Sequence, residues 1–373
     1  MKTSQDSATG YTRLTCTQLG LGAAEQLYEV CSQLVDSPQA EISGTVFTVF
    51  NRTMSIEIDI ESEHSGPAVL TLAVPSVRPG PLITRVSVSD RFSFRRSGHG
   101  ENTDCRFRLL ESAQDGVLQL RVGRELIIDI PTPIIQNSIT TPNQSVVSQD
   151  TFSYESTRYG THCQLLEWIR KQDVVDGLDR LSQLHAICDR AGPPDVASQD
   201  IREELTLLQP FVSCLSDTGD RNMDDVVDTS SSEETSMDVC SLLGYGPGST
   251  PSGDDFLVGI ILILRRIDCS EVQSHLSKIG NGLVTISQTK TTRLSAAFLS
   301  QAVAGRGAKP TADCVDLLIA QSPEWAELTE SVERVLEIGS TSGSDILAGM
   351  LTATTFLLPV VNNRTTYSEL NNS

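Results

Sequence analysis

The sequence predicts an α+β protein, a β-rich N-terminal domain followed by a mainly helical C-terminal domain. Three observations carry this. Between Gly44 and Ile130 apolar residues recur at every second position, as where Ile56, Ile58 and Ile60 alternate with Ser55, Glu57 and Asp59. That is the period of a strand with one buried face. From about residue 160 the spacing changes to three and four, the period of a helix. Finally, 373 residues exceed what one ordinary core encloses, so strands first and helices after point to separate domains.

Residues 1–43 carry one expected helix, Leu19–Val35, with Leu21, Ala24, Leu27, Val30 and Leu34 on one face. Beside the isoleucine run, strands are expected over Val46–Phe50, Val69–Val74, Ile83–Val88, Arg91–Arg95, Arg106–Leu110, Val117–Val122 and Leu126–Ile130. Turn signals such as Arg78-Pro79-Gly80-Pro81 and Asp115-Gly116 separate them. Together these elements predict a sandwich or barrel-like domain over residues 1–135. Residues 131–155, rich in Pro, Ser, Thr, Asn and Gln, read as a linker. A helical domain over 156–361 follows, with helices expected at Leu165–Lys171, Val174–Arg190 and Ile201–Leu215. Within it the acidic, polar segment Ser216–Asp238 reads as a mobile loop.

Composition excludes several function classes. The net charge is −20, and only five of the 28 basic residues are lysines (Lys2, Lys171, Lys278, Lys290 and Lys309). Such a surface repels nucleic acid and anionic membranes, so neither is expected as a partner. Low lysine with excess acid also suits a high-salt, halophilic cytoplasm, where screening is strong. The longest clean apolar run, Phe256–Leu264, is far short of the roughly 20 residues that span a bilayer. No N-terminal stretch pairs a basic patch with an apolar run, which argues against a signal peptide. The expected setting is a soluble, cytoplasmic one. Nine scattered cysteines fit free thiols better than a disulfide framework, and the five histidines show no metal-ligand spacing.

The segment Leu243–Gly259, LGYGPGSTPSGDDFLVG, carries the chemistry. Gly244, Gly246 and Gly248 allow positive φ and close backbone approach to a ligand. Ser249, Thr250 and Ser252 add hydroxyls, and Ser252 or Asp254 is a natural N-cap for a helix over Asp255–Arg266. Free N–H groups at such a helix start suit an anion. The segment is neither a P-loop, lacking Gly-Lys-Ser/Thr, nor a dinucleotide fingerprint. Asp254 and Asp255 repel a bare phosphate, so a Mg²⁺ ion or a proton would have to stand between them and it. One of these acids can instead favour the helix start electrostatically, and the other accept from a substrate amide.

Ninety residues later an echo occurs, Ser342-Gly343-Ser344-Asp345-Ile346-Leu347-Ala348-Gly349 against Ser252-Gly253-Asp254-Asp255-Phe256-Leu257-Val258-Gly259. Both copies enter an apolar helix with Gly four residues past the aspartate, a position suited to tight helix–helix contact. Two such helix starts can face each other across one pocket. Between them Lys290-Thr291-Thr292-Arg293-Leu294-Ser295 supplies hydroxyls and two cations.

At these residues the pattern GxGPGxTPSGDDFLxG, the Thr-Thr…Ser element and the second S-G-x-D-x-L-x-G resemble the family that includes the AllH-type subunit of bacterial oxamate carbamoyltransferase. The resemblance covers Leu242–Leu351, under a third of the chain. It implies a subunit of a hetero-oligomeric enzyme of purine-nitrogen catabolism and allantoin degradation. There, oxalurate is split by phosphate into oxamate and carbamoyl phosphate, with acyl-CoA-synthetase-like subunits as partners. On that reading Gly246, Gly248, Thr250, Ser252, Gly253, Thr291, Thr292, Ser295, Ser342 and Gly343 bind a small anionic substrate. Asp254, Asp255, Asp345 and Arg293 are the candidate catalytic residues, and catalysis is positioning and charge stabilisation without a resident cofactor. The alternative is a non-catalytic assembly or metabolite-binding subunit. A metal-dependent phosphoryl-transfer enzyme built on the aspartates ranks below both.

Overall fold

The computed structural model describes residues 12–35, 40–60, 67–89, 91–110, 116–140, 147–148, 156–172, 180–181, 183–184, 239–268, 270–320 and 322–357. The chain divides into two compact units, Met1–Gln144 with Arg306–Lys309, and Ser145–Gly305 with Pro310–Ser373. The expected acidic loop 216–238, the expected helix 201–215 and most of 174–190 lie outside the described residues.

In the first unit, strands β1 (Thr12–Leu19), β2 (Ile42–Val49), β3 (Thr53–Ile58), β4 (Val69–Ala73), β5 (Ile83–Val86), β6 (Asp104–Leu110), β7 (Val117–Val122) and β8 (Leu126–Pro131) form a closed barrel. The order around the ring is β1-β5-β4-β3-β2-β6-β7-β8. Most neighbours pair antiparallel; β4 with β5 and β1 with β8 pair parallel. The pairing of the first strand with the last, Thr12 opposite Leu126, closes the ring and leaves no bare edge. Alternation fills one core: Leu14, Cys16, Ile56, Leu72, Phe107, Leu120 and Ile128 are all buried in it. Each such aliphatic side chain stabilises the unit by roughly 2 kcal/mol.

Helix α1 (Leu21–Val35) adds Ala24, Leu27, Val30 and Leu34 to that core, as its periodicity predicts, and Ala23 besides, while Leu21 is only half-buried. Three expectations need correction. Strand β1 was not anticipated, although Leu14 and Cys16 alternate with the outward-facing Arg13 and Thr15. The expected linker begins as helix α2 (Thr132–Thr140), which places Ile135 in the barrel core. Its polar composition hides the helix, but Pro133 in the first turn costs nothing because N–H groups there have no helical partner. The expected strand Arg91–Arg95 is a loop ending in a 3₁₀ turn, Phe94–Arg96. Phe92 and Phe94 meet edge to face at 5.1 Å, and the Ser93 hydroxyl accepts from the Arg96 N–H. The alternation is real there, but Ser93 caps a turn where a strand would need a partner.

The second unit is helical: α3 (Ser156–Arg170), α4 (Val239–Leu242), α5 (Ser252–Leu264), α6 (Ser270–Lys290), α7 (Arg293–Val303), α8 (Lys309–Ile319, its first residue counted with the barrel unit), α9 (Trp325–Leu336) and α10 (Ser342–Thr352). A π-helical turn, Ala353–Leu357, continues α10. Every residue of α5 is buried, so this helix is the centre of the unit. It lies directly against α10 because both carry glycine at the crossing. A Cβ on Gly259 would sit 2.1 Å from the Ile346 carbonyl oxygen, and one on Gly349 would sit 2.0 Å from the Phe256 carbonyl oxygen. Among the described residues no helix is long and apolar enough to cross a membrane.

Candidate functional site

The two echoed segments do form two helix starts that converge. Thr250 and Ser342, one ahead of α5 and the other opening α10, share a hydrogen bond between their hydroxyls at 3.0 Å. The glycines of each copy do the same work. Gly253 N–H donates to Tyr245 O and Gly343 N–H to Ile338 O, both at 2.9 Å. A Cβ on Gly253 would meet Leu242 O at 2.0 Å, and one on Gly343 would meet Val335 O at 2.1 Å. These two glycines are therefore packing positions, required because a backbone carbonyl occupies the space of a side chain.

The loop ahead of α5 has the backbone its glycines allow, with φ of 75° at Gly244, 108° at Gly246 and 104° at Gly248. Gly244 lies on the Lys290 carbonyl, 2.2 Å from where its Cβ would be, whereas Gly248 faces open space. The helix start departs from expectation. Its N-cap is Pro251, with no side-chain cap, and α5 begins at Ser252. The Gly253 and Asp254 N–H groups are bound within the segment, to Tyr245 O and Pro251 O. The N–H groups of Gly246, Gly248, Ser249 and Thr250 make no hydrogen bond to the described residues. The unspent donors thus belong to the loop more than to the helix end.

Asp254 does not cap the helix. It is fully buried and accepts from the Gly244 N–H at 3.0 Å, the Ser295 hydroxyl at 2.7 Å and the Thr291 hydroxyl. Thr292 caps α7, accepting from the Ser295 N–H at 3.1 Å and donating to Ser249 O at 2.5 Å. This network pins the glycine loop to the start of α7, so Thr291, Thr292 and Ser295 hold the loop's shape. Arg293 stands exposed at the first position of α7.

Asp255 and Asp345 hold equivalent places in the two helices, and both are buried. Asp255 lies at the Thr250–Ser342 bridge, in hydrogen-bonding reach of both hydroxyls, while its Oδ2 has no partner among the described residues. Burial pushes its carboxyl up to about 8, against the two hydroxyls and with help from the charges of Asp345 and Asp254. Asp255 therefore carries a proton at neutral pH and can donate through it. The sequence reading missed Arg180, whose guanidinium stands 5.6 Å over the Phe256 ring, one residue past Asp255. Nothing in its local sequence marks it, because that position is reached only through the fold.

Burial pushes Cys16, Cys105 and Cys314 up to about 12 and Cys31 to about 11, far from the thiolate form. Among the described residues no group of three or more His, Cys, Asp or Glu is arranged to hold a metal ion. A Mg²⁺ role for Asp254 would also have to displace the three donors it already accepts from.

No solved structure matches this chain. A family model matches residues 242–354, which run from the last residue of α4 through the loop, α5 and α7 to the turn after α10. The matched segment thus holds both helix starts and all of the site residues named above except Arg180. Residues 242–354 carry the pattern of the family described as oxamate carbamoyltransferase subunit AllH.

Proposed function

We propose that this chain is a subunit of a carbamoyltransferase-type complex, binding a small carbamoyl-bearing anion of the oxalurate, carbamoyl phosphate or oxamate kind at the paired helix starts. The observation that carries the proposal is the position of Asp255. It sits inside the segment matching the oxamate carbamoyltransferase subunit, buried at the Thr250–Ser342 bridge, with one carboxyl oxygen unspent. A carbamoyl group presents a carbonyl acceptor beside an NH₂ donor. A protonated Asp255 donates to that carbonyl, and the hydroxyls of Thr250 and Ser342 serve the NH₂ as acceptors. The unspent N–H groups of Gly246, Gly248, Ser249 and Thr250 take the ligand's anionic end, as backbone nests do. Arg293, at the head of α7, adds a cation on the exposed side.

On this reading the chain works in the cytoplasm, in allantoin-derived nitrogen catabolism, beside acyl-CoA-synthetase-like subunits. Catalysis is positioning and charge stabilisation in a site without a covalent nucleophile. A second reading, a non-catalytic assembly or metabolite-binding subunit, is favoured by Tyr245. This residue is 59% exposed within the loop, where a partner chain would cover it.

Isothermal titration of the full chain with carbamoyl phosphate, oxalurate and oxamate, with and without Mg²⁺, tests the site. At least one ligand should bind, and Asp255→Ala should weaken it at least tenfold. Heat from none of them overturns the proposal. Turnover by the isolated chain would remove the assembly reading.

A further inference from the structure

The barrel unit carries a second feature that the carbamoyl site does not use. A cavity of about 310 Å³ is lined by Thr12, Arg91, Phe92, Ser93, Arg96, Ser97, His99, Glu125 and Leu126. It lies at one end of the barrel, beside the starts of β1 and β8. Six of those nine lining residues come from the loop 91–99, where the sequence concentrates Arg91, Arg95 and Arg96 within six residues. In a chain with 48 acidic and 28 basic residues, arginines ordinarily find carboxylates. Among the described residues the guanidinium groups of Arg91 and Arg96 make no ion pair or hydrogen bond. Glu125, the one carboxylate of the lining among the described residues, is paired to neither, so the described lining sets two guanidinium groups against one carboxylate.

The loop is built to hold this shape. The Phe94 side chain is fully buried, and its N–H donates to Asn51 O. The Ser93 hydroxyl accepts from the Arg96 N–H and donates to Asn51 Oδ1. The Ser97 hydroxyl donates to Phe94 O at 2.6 Å and bonds His99 Nδ1 at 3.1 Å, which fixes the imidazole wall. The His99 side chain is buried, and Phe92 is half-buried with its ring against Phe94. Two unspent guanidinium groups on a braced loop are the donors that recognise an oxyanion in fork geometry. A cavity of this size, with an aromatic ring in its lining, also accommodates more than a bare ion.

We propose that this end of the barrel is a binding site for a small phosphorylated metabolite, its phosphate held by Arg91 and Arg96. The test is isothermal titration of the full chain at low salt with inorganic phosphate, pyrophosphate and AMP. At least one should bind with a submillimolar Kd. The Arg91→Ala/Arg96→Ala double variant should weaken that binding at least tenfold. An Arg106→Ala/Arg108→Ala double variant, which removes two exposed arginines from β6, should leave it within twofold. Tighter AMP than phosphate identifies a phosphate ester as the ligand, and the reverse identifies the free ion. The proposal is overturned if none of the three binds, or if both double variants weaken binding equally. Asp255→Ala should leave this binding within twofold; a tenfold loss would place the anion at the helix starts and overturn the proposal. Thermal unfolding of both double variants alongside the wild type separates lost binding from lost folding.

Discussion

The two helix starts of the second unit are built on one pattern, yet only the α5 start is preceded by a loop of three positive-φ glycines. At α10 the approach is short: Gly339, with φ of 62°, turns the chain, and Ser344 donates to Thr341 O at 2.7 Å. At α5 three glycines open a wider loop, and Asp254 replaces the serine. Asp254 then reaches outward to Gly244, Thr291 and Ser295 and ties the loop to α7. The comparison teaches that Ser-Gly-x-Asp by itself builds a helix crossing. The added loop and its anchoring acid set the candidate site apart, and Asp255 faces the shared hydroxyl bridge between the two copies.

The largest expected effect tests the state of Asp255. Burial raises its pKa from the ordinary aspartate value of 3.8 to about 8 in the folded chain, so folding takes up a proton between those values. The stability this group contributes is complete below about pH 4 and is lost as pH rises toward 8, by up to about 1.4 kcal/mol per pH unit. In urea melts across this range the Asp255→Asn variant should gain on the wild type as pH rises. Parallel curves would show that Asp255 is ionised in the folded chain.

Next in size is the crossing itself. Gly349→Val and Gly259→Val each drive a side chain into a carbonyl oxygen of the other helix, and each should cost about 3 kcal/mol in denaturant unfolding. The near-equal approaches of 2.0 and 2.1 Å require similar losses; a loss in one variant alone would break the equivalence of the two copies. Smaller again is the contrast between Asp254 and Ser344. Asp254→Ala strands three donors and should cost about 2 kcal/mol, against about 1 kcal/mol for Ser344→Ala. Equal costs in thermal or urea melts would deny Asp254 its anchoring role. The smallest effect belongs to Gly248→Ala, which meets no neighbour and pays only for its positive φ, about 1 kcal/mol. If the loop N–H groups hold the anion, that variant should weaken ligand binding by more than it weakens the fold.

Much of the fold was legible because strand and helix periods are local. The strands β7 and β8, helix α1 and the apolar run of α5 all follow from spacing along the chain. Misreadings fell where local chemistry supports two answers. Arg91–Arg95 alternates like a strand, and the Pro- and Thr-rich start of α2 reads like a linker. The candidate site was legible as a set of neighbouring residues more than as a set of environments. Asp254 and Asp255 are adjacent and chemically identical in the sequence. One lies among three donors and the other at a bridge between two helices, and no local pattern distinguishes those environments.

The sequence by itself determined the order of strands before helices, the three positive-φ glycines of the loop and the duplicated helix start. These depend on residue type and on neighbours a few positions away. Tertiary structure alone decided that β1 closes the barrel on β8, that Pro251 and not a hydroxyl residue opens α5, and that Thr250 meets Ser342 across 92 residues. It also gathered Arg91 and Arg96 around one cavity. The physical reason is common to all four. A hydrogen bond or a burial cost is fixed by what stands opposite in space, and the chain's own period carries no record of its distant partner.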